Sequence, residues 1–126
     1  MGLASLHKIK KNSNFALMII CNTTYHVDCS VSGEFLDWLR DVYLPRALEG
    51  DMVRAPRLLR MMGHNDGGVC FALQLQATKL SELQRWNQAV GKQLHQQLIE
   101  RFGTKVAGFT TFMENIDILN NGKQGI

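Results

Sequence analysis

The chain has 126 residues, of which 45% are hydrophobic and 20% charged, and its formal net charge is +3. This length and composition predict one globular domain. The mild charge, without a dense basic surface interleaved with aromatic residues, argues against a nucleic-acid partner. No apolar run approaches the ~18 residues of a membrane helix and the N-terminus lacks the apolar core of a secretory signal, so no membrane partner is expected.

The three cysteines, Cys21, Cys29 and Cys70, are an odd number at no metal-ligand spacing. Scattered cysteines of this kind are typical of reduced thiols, so we expect a cytoplasmic protein. His26 and Cys29 form an H-x-x-C pair, but no second pair completes a tetrahedral site. We therefore predict that the chain has no metal site.

The predicted domain organisation has three parts. Residues 1–15 are polar and basic without sustained periodicity, which predicts a flexible N-terminal extension. Residues 16–118 hold all the strongly periodic segments and form the predicted folded domain. Residues 119–126 are predicted to be a C-terminal tail.

The first half of the domain predicts a strand followed by a helix. Residues 16–27 are apolar and β-branched, as in a strand. Ser32 is the expected N-cap of the helix, with Glu34 in its first turn. Because Pro45 has no N–H to donate to the preceding turn, the helix is expected to end or kink near Leu44.

Two strands joined by a hairpin follow. Residues 53–62 predict the second strand, and Pro56 places it at a sheet edge or a bulge. Residues 64–68 (HNDGG) are rich in residues that accept a positive φ and predict the hairpin turn. Residues 69–78 alternate apolar and polar side chains, which is the period of a strand.

The longest helix and a last strand complete the domain. Ser81 and Gln84 have the spacing of a capping box, and Gly103 is the expected residue of positive φ after the helix. Residues 104–118 predict the last strand. One face of the helix is apolar, at the positions Leu83, Trp86, Val90, Leu94, Leu98 and Phe102.

The element order β-α-β-β-α-β predicts an α+β, ferredoxin-like sandwich, in which a four-stranded antiparallel sheet carries two helices on one face. The other face is then open. From the alternation we expect three sets of residues there: Ile20, Asn22, Thr24 and His26; Cys70, Ala72, Gln74 and Gln76; and Val106, Gly108, Thr110, Phe112 and Glu114. Since half of this face is apolar, a second subunit is expected to cover it, giving a homodimer with C2 symmetry.

Three segments carry a family resemblance: residues 18–24 (MIICNTT), residues 34–39 (EFLDWL) running on to Leu44-Pro45, and residues 101–109 (RFGTKVAGF). They resemble an uncharacterised bacterial domain-of-unknown-function family of the dimeric α+β barrel group. The resemblance covers roughly residues 18–114 and implies the fold and the homodimer. Its motifs are mostly structural and imply no particular chemistry, so whether the chain is an enzyme stays open.

The open face supplies the first candidate site. Its polar residues are predicted to line a small pocket inside the barrel, as a binding site for a small apolar or aromatic ligand that needs no cofactor. The alternative is that they satisfy one another, or water, across a dimer interface. The residues concerned are Asn22, Thr24, Gln74, Gln76 and Thr110.

A second candidate site consists of Asn22, Trp86 and His95. This set resembles that of haem-degrading monooxygenases of the dimeric barrel group, which implies haem as cofactor and His95 as the iron ligand. Trp86 and His95 are nine residues apart, however, one fewer than in those enzymes. Because one residue turns a helix by about 100°, the two side chains are expected to point differently here. Trp86 also falls on the core stripe, and His95 is more simply a surface residue.

Overall fold

The computed structural model describes residues 18–63 and 66–121. The predicted extension over residues 1–15 and the end of the predicted C-terminal tail lie outside the described residues. Within them the strands are β1 (Ile19–Asp28), β2 (Arg54–Arg60), β3 (Gly68–Ala77) and β4 (Val106–Glu114). Two long helices, α1 over residues 32–47 and α2 over residues 80–102, follow β1 and β3, and a short helix α3 (Ile118–Asn121) follows β4.

The four strands form one antiparallel sheet in the order β2-β3-β1-β4. Strands β1 and β3 lie in the centre, and α1 and α2 cover one face. This architecture confirms the α+β class and the ferredoxin-like arrangement. We call the face under the helices the covered face and the opposite one the open face.

The hydrophobic core lies between the covered face and the two helices. Phe35 of α1 is at its centre, with ring centroids 4.9 Å from Tyr25, 5.9 Å from Phe71 and 6.1 Å from Phe102. The alternation read from the sequence of β1 and β3 is confirmed, because the covered-face side chains are buried and, apart from Ala72, those between them are more exposed. These buried side chains are Cys21, Thr23, Tyr25, Val27, Phe71, Leu73 and Leu75.

The predicted faces of β4 are wrong by one residue. Thr110 is paired with Thr23, and directly opposite residues of an antiparallel pair share a face. Thr110 therefore lies on the covered face, and Phe109 and Thr111 take its place on the open face. A slip of one residue moves every side chain of a strand to the other face. The same correction applies to Val106, Gly108, Phe112 and Glu114.

Strand β2 is an edge strand with an irregularity at its proline, as Pro56 predicts. The register shifts between Arg54 and Arg57, and Ala55 has a φ of 54°. Arg54 is paired with Gln76 and Arg57 with Gln74, both of which lie on the open face. The bulge thus brings two arginines onto one face, whereas simple alternation would put them on opposite faces.

Two predictions about the helix ends are wrong and one is confirmed. Ser32 is the first residue of α1 and not its cap, and its hydroxyl donates instead to the carbonyl of Cys29. Helix α2 begins at Leu80, with Lys79 as N-cap, so no capping box forms at Ser81. Helix α1 continues past Pro45 to Ala47. Gly103 has the expected positive φ, 58°, after α2.

Each long helix contains a π-turn, at Leu39–Tyr43 in α1 and at Asn87–Gly91 in α2. The backbone N–H of Leu44 donates to the carbonyl of Leu39, five residues back, and Lys92 donates to Asn87 in the same way. In α1 the wider turn directly precedes Pro45, which has no N–H for the regular helix bond. The π-turn is therefore how α1 passes a proline that was expected to end or kink it.

The element bounds differ from the predicted ones mainly at the C-terminal end. Strand β4 ends at Glu114, four residues before the predicted end at Ile118, and α3 begins at Ile118. None of the described helices is both long and apolar enough to span a membrane.

Among the described residues, one side-chain hydrogen bond links α1 to α2 inside the core. The indole Nε1–H of Trp86 donates to the carbonyl oxygen of Ala47 at 2.9 Å, and Trp86 is only 2% exposed. We predict that Trp86→Phe lowers the free energy of unfolding by about 1–3 kcal/mol, because it leaves a buried carbonyl without its donor. Urea unfolding measures the change. Ile99→Ala on the exposed side of α2 is the control and should cost under about 1 kcal/mol; an equal loss in both variants would contradict the prediction.

Candidate functional site

The open face is organised as rows of side chains that run across the four strands. The register aligns Arg57, Gln74, Asn22 and Thr111 in one polar row. The next row towards the β2–β3 hairpin contains Leu59, Ala72, Thr24 and Phe109. Because paired residues of an antiparallel sheet point to the same side, each row presents its side chains together.

The polar row is joined by direct hydrogen bonds. Arg57 donates from a guanidinium nitrogen to Gln74 Oε1 at 2.8 Å, and Gln74 donates from Nε2 to Asn22 Oδ1 at 3.2 Å. Asn22 in turn donates from Nδ2 to Thr24 Oγ1 at 3.2 Å. Three of the predicted ligand residues, Asn22, Thr24 and Gln74, therefore satisfy one another. The fourth, Gln76, lies one row further along the same face, between Arg54 and Ile20.

Apolar side chains flank this polar row. Leu59 is 41% exposed, Met113 is 38% exposed and Phe109 is 65% exposed. The open face therefore contains a polar row whose side chains bond to one another, bordered by apolar side chains that no other described residue covers.

A second feature is an open cavity of about 610 Å³ at the β2–β3 hairpin, where His26 and Cys70 lie beside Met61 and Met62. His26 is placed at its rim, with its imidazole close over Gly68. Cys29 lies in a short 3₁₀ turn after β1. In the described part of the chain no group of three or more His, Cys, Asp and Glu residues is arranged to hold a metal ion.

The covered face contains a cleft between α2 and β4 with a volume of about 290 Å³. It opens where the π-turn of α2 faces the edge strand. Among the described residues, its lining consists of Asn87, Gly91, Lys92, His95, Gly108, Phe109 and Thr110. This cleft combines polar donors with apolar surface, as ligand sites do.

Behind the cleft lies an inner chamber of about 20 Å³. Asn87, Gly91, His95 and Thr110 line both spaces, so the chamber is the floor of the cleft. Its volume suffices for one water molecule. Hydroxyls of Thr23, Tyr25, Tyr43 and Thr110 contribute to its wall, together with the apolar side chains of Trp86, Leu94 and Leu98.

The π-turn explains why Trp86 and His95 meet at this chamber. Nine residues at about 100° each would put them on opposite sides of a regular α-helix. A π-turn between them takes up one extra residue and leaves them about 80° apart. Both therefore line the inner chamber, and His95 is at the same time exposed at the surface, as expected.

Two glycines allow the close packing around the cleft. A Cβ at Gly91 would lie 2.5 Å from Asn87 Oδ1, and one at Gly108 would lie 2.9 Å from the Tyr25 ring. Contacts this short are sterically forbidden, so larger residues would displace Asn87 or Tyr25. Both glycines therefore leave the space that the side chains of Asn87 and Tyr25 occupy.

A chain of hydroxyl groups runs from the cleft into the core. Thr110 Oγ1 and Thr23 Oγ1 are 3.0 Å apart and share a hydrogen bond. The Tyr25 hydroxyl bonds to those of Thr23 and Tyr43. Burial, and then the neighbouring Cys21 thiol, raises the pKa of Tyr25; burial also raises the pKa of Tyr43 and brings that of Cys21 to about 11. These groups stay protonated at neutral pH and act as hydrogen-bonding groups only.

The structure divides both predicted sets of site residues. Asn22, Thr24, Gln74 and Gln76 lie on the open face, but Thr110 lies across the sheet in the cleft, because β4 pairs with Thr110 opposite Thr23. Of the haem set, Trp86 and His95 line the inner chamber, whereas Asn22 points to the other side of the sheet. The indole N–H of Trp86 is already engaged by Ala47.

Several cleft residues were not predicted from the sequence. The two π-turns bring four such residues into the site: Tyr43, Asn87, Gly91 and Lys92. Apart from Pro45, the sequence contains no signal for these turns. Gly91 within an otherwise helical pattern was the one available clue, since a glycine there marks a close approach.

The comparisons with known proteins bear on the family alone. A family model described as a domain of unknown function, DUF4286, matches residues 18–116. The chain belongs to this family. The DUF4286 match contains all four strands and both long helices, and the family description assigns no activity.

No curated protein matches the chain. Among solved structures, the DUF4286 chain is similar to a de novo designed protein, Foldit4, at 7% sequence identity and a TM-score of 0.49. The similarity covers 76% of this chain and 96% of the designed one.

The raised pKa values predict a loss of stability in alkali. Burial raises the pKa of the Cys21 thiol from 9.0 to about 11, so between these two pH values the thiol ionises in the unfolded state but stays protonated in the folded one. A group whose pKa is raised by folding makes its full contribution to stability below its unfolded pKa. This contribution is lost as the pH rises towards the folded pKa. We expect the free energy of unfolding to fall by roughly 1–3 kcal/mol from this group alone between about pH 9 and pH 11.

Urea unfolding across this pH range measures the effect. Cys21→Ala should flatten the alkaline slope, while Cys29→Ala, at an exposed position, should leave it unchanged. Equal slopes in the Cys21→Ala variant and the unmodified protein would show that Cys21 does not carry the dependence.

Proposed function

We propose that this DUF4286 protein is a homodimeric small-molecule-binding protein. Two copies pair through the open face to form a dimeric α+β barrel, and each copy holds a small apolar or aromatic ligand in the cleft between α2 and β4. The observation that carries the proposal is the difference between the two sides of the sheet: the open face is bare and internally bonded, while the covered side contains a concave cleft lined by polar groups.

The size of the open face supports a second copy as its partner. Four strands of about nine residues present a face of roughly 30 by 19 Å, or on the order of 600 Å². Pairing two such faces buries about 1,200 Å² in total, which reaches the lower end of stable specific interfaces. Leu59 and Phe109 supply the apolar contacts that the core of such an interface requires.

The hydrogen bonds within the polar row also support its burial in an interface. Amide and guanidinium groups cost free energy when buried without partners. Here Gln74 already accepts from Arg57 and donates to Asn22, and Asn22 donates to Thr24. The row can therefore be covered by an apolar partner surface at lower cost. In this proposal Asn22, Thr24, Gln74 and Gln76 line the inside of the barrel.

The cleft is the better ligand site because it is concave and its polar groups converge. Its volume of about 290 Å³ lies at the lower end of ligand pockets, which suits a molecule of one or two rings. His95, Asn87 and Thr110 present hydrogen-bonding groups to the same space. The inner chamber behind them can hold a bridging water.

Two further observations support the proposed source and location of the protein. The resemblance to bacterial proteins of the dimeric barrel group supports a bacterial origin. Cys21, Cys29 and Cys70 are free thiols, which supports a cytoplasmic location.

An oxygenase or haem-degrading enzyme of the same group is the less favoured function. Trp86 and His95 meeting at one chamber supports it. The position of Asn22 on the open face speaks against it, because the third residue of the set is then separated from His95 by the sheet. A haem titration followed by its absorption spectrum separates the functions: a His95-dependent spectral change supports the oxygenase, and no change supports the ligand-binding protein.

Leu58 and Leu59 provide a matched test of the dimer. Both are 41% exposed, but Leu59 is paired with Ala72 on the open face and Leu58 with Leu73 on the covered face. We expect Leu59→Asp to shift the protein to a monomer, because it places a charge in the interface, and Leu58→Asp to leave the dimer intact. Sedimentation velocity measures both. A monomeric unmodified protein, or equal behaviour of both variants, would contradict the proposal.

The ligand site has its own test. We predict that 2-naphthol, titrated into ¹⁵N-labelled protein, shifts the backbone amide signals of Gly91, His95 and Thr110. His95→Ala should weaken binding at least about fivefold, since it removes a polar group and part of the cleft wall. Gln96→Ala, on the exposed neighbour of His95, is the control. Signals that move only on the open face would show that the ligand binds elsewhere.

A further inference from the structure

The charges around the cleft point to the chemical class of its ligand. Of the described residues that line the cleft and the inner chamber, none is acidic. One of them, Lys92, is cationic, and it lies at the mouth. A site with a cation and no carboxylate favours a ligand with negative charge.

Lys92 is available for this role. Its Nζ donates to the neutral amide oxygen of Gln88 at 3.2 Å. The ion pairs formed among the described residues involve Arg40 and Arg46 and no lysine. The ammonium group has further donors and no neutralising carboxylate among these residues, so it can bind an incoming anion without breaking an ion pair.

The other polar groups of the cleft are suited to the same anion. Asn87 can donate from its amide, Thr110 from its hydroxyl and His95 from a ring N–H. A planar carboxylate accepts several hydrogen bonds at once, and bonds to an ionised acceptor are stronger than neutral ones. Several cleft side chains can therefore donate to one carboxylate.

The remaining wall is suited to a flat ring. Gly91 and Gly108 present backbone without side chains, and packing against Asn87 and Tyr25 prevents larger residues there. Backbone surfaces without side chains allow a planar apolar group to approach more closely than a branched one.

We infer that the cleft binds a small aromatic carboxylic acid, with its carboxylate at Lys92 and His95 and its ring against Gly91 and Gly108. This inference rests on the proposed function, since it names the ligand class of the same cleft.

The test compares two probes of the same shape, 2-naphthoate and 2-naphthamide, titrated into the unmodified dimer and followed by backbone amide shifts. We expect naphthoate to bind about five- to tenfold more tightly, the difference that a charge-assisted contact at a partly exposed site provides. Lys92→Gln should reduce naphthoate binding to the level of naphthamide and leave naphthamide unchanged. Lys79→Gln, at the N-cap of α2 and outside the cleft lining, should change neither.

The outcomes separate this inference from the proposed function. If the amide binds as tightly as the acid, or if Lys92→Gln leaves naphthoate binding intact, the carboxylate assignment is wrong while the ligand cleft stands. If neither probe perturbs the cleft residues, both the assignment and the ligand cleft are wrong.

Discussion

The structure depends on one constraint: a four-stranded sheet has two faces, and the chain supplies helices for only one of them. Alternation puts Tyr25, Leu73 and Leu75 under α1 and α2, where they build the core around Phe35. The same alternation forces Asn22, Gln74 and their neighbours to the bare side. Each side then has its own proposed role, a partner surface on the open face and a ligand cleft on the covered one.

The cleft exists because the packing on the covered face is not regular. A regular α2 would turn His95 away from Trp86, and the π-turn at Asn87–Gly91 brings them to the same chamber. The second π-turn, before Pro45, ends at Tyr43, whose hydroxyl reaches Tyr25. π-Turns are often found at functional sites, where an extra residue re-aims a side chain at little cost to the helix. Here both of them border one cavity.

Much of the fold could be predicted from the sequence, because alternation in β1 and β3 and the apolar stripe of α2 are strong signals. The register of β4 could not be predicted, because its apolar residues fall on both faces of an alternating strand: Val106 and Phe112 on one, Phe109 and Met113 on the other. Their pattern leaves the face undecided, and only the pairing of Thr110 with Thr23 fixes it. The proline in β2 predicted an irregular edge but not that the bulge would bring Arg54 and Arg57 to one face.

The candidate site was predicted less well for a physical reason. Strand residues such as Asn22 and Gln74 were identified because a strand's period is simple, and they do lie together on the open face. The cleft residues belong to a helix whose period changes within the site, so a fixed angle of about 100° per residue gives a wrong direction for His95. Hydrogen bonding between distant residues, such as Thr23 with Thr110, has no local sequence signal at all.

The central claim is that the bare side of the sheet is hidden by a second copy of the chain. Its most direct measurement is the access of a paramagnetic co-solute to two methyl groups, those of Met113 on the open face and Ile99 on the outside of α2, which are 38% and 46% exposed in a single chain. The account predicts that relaxation enhancement at the Met113 methyl is strongly reduced while Ile99 stays fully accessible. Similar enhancement at both would show that the open face is in contact with water and would contradict the account.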